Sequence, residues 1–195
     1  MLASITPLGE RGRGNRWTIT AAVFIAASAG AGAALGAVLG LLGSVLLDHV
    51  AIGWRLGLLG VALAVGVVWE LGRGTVPGPR RQVNERWLDD YRRWIYAAGF
   101  GAQLGTGVVT IVVTSAVYGV WAAALVSAHP AAGAAIGAAA GAMRGATLLA
   151  GARSTTPQRL LSLHERLRHI HGPVRRGTLT AQLALVAVAA VVLVV

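Results

Sequence analysis

The sequence predicts an all-α protein: a polytopic transmembrane helix bundle of about five spans, with one or two interfacial amphipathic helices. Three observations carry that expectation. Of 195 residues 55% are hydrophobic, and the mean hydropathy is +0.67. Only 12% are charged, against about a quarter in an ordinary soluble domain, and those charges are clustered. Between the clusters run apolar stretches of about 20 residues or more with few or no charges, enough to cross a hydrocarbon core at a helical rise of 1.5 Å per residue.

The apolar segments fall at residues 18–47, 51–71, 94–126, 131–151 and 178–195, within one membrane domain covering 1–195. The first and third exceed one crossing and should tilt or reach into the interface. A cleavable signal peptide is the alternative for the first, with Ala27-Ser28-Ala29 as the small-residue site. The apolar run continues to Leu47, which fits a retained anchor better.

Orientation follows from the arginines, which supply all the positive charge because there is no lysine. Fifteen of the 17 lie before the first span or in the connections 72–93 and 152–177; the exceptions are Arg55 and Arg144. The positive-inside rule puts those connections in the cytoplasm, with the N-terminus inside and the C-terminus outside. The composition suggests a GC-rich bacterial genome, hence the cytoplasmic (inner) membrane. Trp17, Trp69, Trp87 and Trp94 fall at inner ends of spans and Trp54 and Trp121 near outer ends, the headgroup zones that indole favours. Because the arginines flank apolar spans, the implied partner is a bilayer with anionic headgroups rather than nucleic acid. A membrane-protein partner or a second copy of the chain stays open.

The two basic connections carry helical patterns. Val83, Trp87, Tyr91 and Trp94 recur at helical spacing, as in an interfacial helix feeding straight into the third span. Thr156 can cap a helix starting at Pro157, along which Leu160, Leu163, Leu167 and Ile170 make one apolar stripe. Such a basic amphipathic helix lies in the interface or packs as a connector; periodicity does not separate the two. The AGAALGAVLG of residues 31–40 and the AGAAIGAAAG of residues 132–141 are alike but do not establish a symmetry.

Packing is signalled by small residues four apart, the spacing of a glycine zipper. Ser28, Gly32, Gly36, Gly40 and Ser44 mark the first span; Gly133, Gly137, Gly141 and Gly145 mark the fourth. Such faces let helix backbones approach closely in lipid.

Candidate pathway residues are Gln103, Thr106, Thr110, Thr114 and Tyr118, which fall on one side of a continuous third helix. They line a route for a polar solute, or the hydroxyls bond carbonyls one turn back. Arg144, inside the fourth span, is a functional charge or snorkels to headgroups. Arg55 is expected to pair with Asp48, and Glu70 with Arg73 or headgroups. Asp48, His49 and His129 are weak candidates for a metal site in the outer turns, with no spacing motif behind them. No metal site is assigned and no cofactor expected. With no cysteine the chain has no disulfide, thiolate site or thiol redox chemistry. No nucleophile, base and orienter can be named, so an enzyme is not expected.

Residues 99–107, GFGAQLGTG, opening a long helix of small residues, resemble spans of the DsbD/CcdA-like thiol–disulfide electron carriers of bacterial membranes. Ile5-Thr6-Pro7 is similar to that family's proline-flanked cysteine segment. The resemblance implies a cysteine-less relative that keeps the membrane scaffold, and it transfers neither redox activity nor any catalytic residue. The functional expectation is a small permease-like or transport-associated protein; the alternative is a non-transporting scaffold or assembly partner.

Overall fold

A computed structural model describes residues 5–74, 76–78, 87–108 and 112–194, apart from the side chains at 89, 90 and 194. All regular structure among them is helical: α1 (Pro7–Gly12), α2 (Trp17–Leu47), α3 (Ile52–Arg73), α4 (Trp87–Asp90), α5 (Arg93–Thr106), α6 (Ala116–Val126), α7 (Pro130–Ala146) and α8 (Pro157–Val194). A 3-10 segment, Thr147–Gly151, extends α7. Four helices are long and apolar enough to cross a membrane: Trp17–Leu47, Ile52–Arg73, Pro130–Gly151 and Pro157–Leu193. Their outward faces carry large apolar side chains, among them Val45, Trp54, Val68 and Val191, all more than 60% exposed. Water tolerates only small patches of that kind, so this is the surface of an integral membrane protein.

The third predicted span, 94–126, is not one helix. It is split into α5, of 14 residues, and α6, of 11. The helix ends at Gly107, whose φ of +69° is the left-handed conformation that glycine adopts freely. Every residue from 108 to 114 is β-branched, a run that gives little local drive to resume a helix.

Two further expectations need correction. Residues 157–170 are not a separate interfacial helix: α8 runs unbroken for 38 residues, about 57 Å at helical rise. Its first half is largely exposed. It does begin at Pro157, with the Thr156 hydroxyl accepting from the Arg159 N–H at 3.4 Å. Pro173 lies inside it and removes one ladder bond without ending the helix. Between α3 and α5 only four of the described residues are helical, α4, and the chain turns at 91–92 before α5. Trp87 instead folds back to stack on Phe100, with ring centroids 5.8 Å apart. Val83 lies outside the described residues.

The bundle is organised around α2, which packs against α5, α6 and α7; α3 packs against α6 and α8. Contact between α2 and α7 is backbone to backbone. A Cβ at Gly32 would strike the Gly137 carbonyl, and one at Gly36 the Gly133 carbonyl. A Cβ at Gly40 would lie 2.5 Å from the His129 carbonyl oxygen. Ser28 fastens the same interface by donating to the Gly141 carbonyl at 2.7 Å. Gly101 and Gly105 bring α5 equally close to α2 at Phe24 and Ser28. At the arginine-bearing end, Ile5, Phe24, Tyr96, Phe100 and Leu148 form a buried cluster.

Candidate functional site

The interruption of the third span creates two helix ends inside the bundle. The last carbonyls of α5 and the first N–H groups of α6 have no partners within their own helices. At the α6 end the partner comes from α3. The Glu70 carboxylate, 1% exposed, accepts from the Ser115 N–H at 2.8 Å, the Ser115 hydroxyl at 2.9 Å and the Thr114 hydroxyl at 3.1 Å. An anion at a helix N-terminus also meets the positive end of the helix dipole. Its other oxygen pairs with Arg175 Nε of α8 at 3.2 Å, and Arg175 also donates to the Glu70 carbonyl at 3.0 Å.

Gln182 of α8 completes this cluster, 3.1 Å from the Ser115 hydroxyl oxygen. A hydroxyl has one proton, and that of Ser115 is engaged by Glu70. The amide therefore complements it by presenting nitrogen, which also gives a partner to the otherwise unpaired buried Nε2.

At the α5 end, the Thr106 carbonyl accepts from the Trp121 indole N–H at 3.2 Å. Trp121 is thus not a headgroup anchor as the sequence predicts; its N–H closes the break. The Thr106 hydroxyl donates to the Gln103 carbonyl at 3.2 Å. Arg144 of α7 lays its guanidinium over Gly107, at the negative end of α5. A side chain at Gly107 would occupy the space the guanidinium fills.

Beside the break lies a cavity of about 290 Å³. Thr106, Thr114, Trp121, Arg144 and Thr178 are the residues with polar side chains in its lining, and Leu35, Leu39, Val117, Val120 and Met143 give much of its apolar wall. Met143, 74% exposed, stands at the rim, so the cavity meets the side of the bundle there.

The predicted pathway residues therefore divide. Thr106, Thr114 and Arg144 converge on the cavity. Tyr118 does not: its hydroxyl donates to the Pro77 carbonyl, and its ring meets Trp121 edge-on at 5.2 Å. Gln103 is half-buried, lies away from the cavity and makes no side-chain hydrogen bond among the described residues. Thr110 lies outside the described residues. The continuous polar face does not form, because α5 and α6 are separate helices.

Other expectations change in their partners. Arg55 donates to the backbone carbonyls of Val50 (2.7 Å) and Asp48 (3.0 Å) rather than to the Asp48 carboxylate. Arg73 stacks on Trp69 at 4.4 Å and leaves Glu70 to Arg175. His129 caps α7, its Nδ1 accepting from the Ala131 N–H at 3.2 Å. Asp48, His49 and His129 do not come together: no group of three metal-binding side chains occurs among the described residues.

Nothing in the sequence pattern marks a second buried carboxylate, Glu10 of α1. It is 0% exposed and accepts from Thr20 (2.7 Å), Tyr96 (2.7 and 2.8 Å) and Arg13 (2.7 Å). Burial opposes the Arg13 charge, but Glu10 outweighs it and holds the guanidinium above its ordinary range. This network ties α1 to α2 and α5. It is buried and apart from the cavity, so it fastens the fold rather than facing a solute.

No family model, no curated protein and no solved structure matches this chain.

Proposed function

We propose that the chain is a small permease-like or transport-associated protein of the bacterial cytoplasmic membrane, with its N-terminus inside and its substrate route at the break between α5 and α6. The observation that carries this reading is the cavity beside an interrupted span, with Arg144 in its wall. Non-helical backbone at membrane depth persists only where protein buries it or where it borders a cavity. Transporters use such broken helices to bring helix ends to a solute near the midplane. The orientation rests on the arginines gathered at one end of the bundle.

A scaffold is the second reading, and one observation favours it: Thr114, Tyr118 and Trp121 all spend their hydrogen bonds inside the protein. Cysteine accessibility separates the two, without background because the chain has no cysteine. Thr106→Cys and Ala140→Cys line the cavity, whereas Val65 is 60% exposed on the apolar outside of α3. A route for solutes expects a small charged methanethiosulfonate to modify the first two in intact membranes and to spare Val65→Cys. Failure to modify either cavity position would replace the route with a dry scaffold.

A further inference from the structure

Arg144, in the cavity wall, is a cation that no described residue pairs. The Arg144 side chain has no hydrogen bond or ion pair to any described residue, and it lies against Gly107 at the negative dipole end of α5. Arginine stays charged in proteins and carries five donors in a planar fork. A charge within a spanning segment is costly unless a counter-charge or a wet cavity receives it. Glu70, the carboxylate next to the break, is already engaged by Ser115, Thr114 and Arg175. Among the described residues no carboxylate lines the cavity, and its walls are otherwise largely aliphatic.

We infer that this cavity binds an amphipathic anion, with a carboxylate or phosphate-type head on Arg144 and an apolar body against Leu35, Leu39, Val117 and Val120. A bare inorganic anion would neutralise Arg144 and leave the aliphatic walls unfilled. A neutral apolar molecule would fill the walls and leave the guanidinium unpaired. A molecule with both parts satisfies both, and the guanidinium fork matches the two oxygens of a carboxylate or phosphate. The opening beside exposed Met143 allows entry from the lipid side. This assignment rests on the proposed function for the cavity's being reachable within a membrane, but not for net movement across it.

The test uses the full chain in nanodiscs of zwitterionic phosphatidylcholine, with octanoate, octanol and acetate as probes and thermal unfolding as the readout. Octanoate is expected to raise the melting temperature saturably, whereas octanol and acetate at equal concentration are not. Arg144→Gln should weaken octanoate at least about tenfold, the loss of one charge-assisted contact. Arg144→Lys should retain part of the affinity. Val120→Phe, which fills the cavity and keeps the charge, should block octanoate as well; it serves if Arg144→Gln does not fold. Equal stabilisation by octanol, equal stabilisation by acetate, or unchanged octanoate affinity in Arg144→Gln and Val120→Phe would each overturn the assignment. Octanoate flux into proteoliposomes is measured separately. Saturable binding without flux keeps the assignment and sinks the transport route. Absence of octanoate binding, with the cavity cysteines still modified, sinks the assignment alone.

Discussion

Glu70 joins three helices through one carboxylate. It caps α6, pairs with α8 and belongs to α3, and it is 1% exposed. Its spacing in the sequence points to Arg73, three residues on, because local pairs are what periodicity reveals. Nothing in the sequence places Arg175 or Ser115 beside it, since those contacts depend on how α3, α6 and α8 pack. Arg144 is the opposite case: an arginine in an apolar segment is conspicuous from the sequence alone, though its position over Gly107 is not. Replacing Glu70 with alanine removes a helix cap and leaves the Ser115 and Thr114 groups without their acceptor. The expected cost is on the order of 2–3 kcal/mol, a cap plus buried hydrogen bonds. It is kept below the cost of a fully buried ion pair because Arg175, 38% exposed, can turn to solvent or headgroups. Glu70→Gln keeps shape and an acceptor and should cost less. Thermal unfolding in detergent checks the order; a native-like melting temperature for Glu70→Ala would contradict the capping role.

At the scale of elements, length and glycine spacing are the legible features. The starts and ends of α2, α3 and α7 fall within a few residues of their apolar segments. The break in the third span is not legible, since an apolar run reads alike whether or not its backbone turns at a glycine. The unbroken course of α8 through Pro173 is hidden for the converse reason: a Gly-Pro pair reads as a boundary, yet the helix continues. The glycines of α2 and α7 permit a sharp test. A leucine at Gly36 or Gly137 must displace the opposing backbone, whereas nothing lies within 4 Å of a Cβ at Gly72. Overpacking a well-packed core costs about 1–3 kcal/mol, and more where backbone must move. Gly36→Leu and Gly137→Leu should therefore melt well below the native chain, and Gly72→Leu close to it. Equal melting temperatures for all three would mean that α2 and α7 do not meet along these faces.

For the whole molecule, the defining feature is that one crossing of the bundle is made by two short helices, and Thr106, Thr114 and Arg144 of the candidate residues gather where they part. Glu70, Thr114 and Ser115 serve the start of α6; Trp121, Thr106 and Arg144 surround the end of α5. The route and the anion site both depend on that break. The most direct measurement is the separation of positions 106 and 121. In a continuous helix they would stand about 22 Å apart along the axis, about 15 residues at 1.5 Å each. In this fold the Trp121 indole nitrogen lies 3.2 Å from the Thr106 carbonyl oxygen. A Thr106→Cys, Trp121→Cys chain, treated in membranes with a bis-methanethiosulfonate reaching about 10 Å and reduced as a control, should form an intramolecular bridge, which the ~22 Å separation of a continuous helix forbids. An Ala102→Cys, Thr106→Cys pair within α5 is the positive control. Bridging at 102–106 with none at 106–121 would contradict the broken span, and with it the cavity and the site built around Arg144.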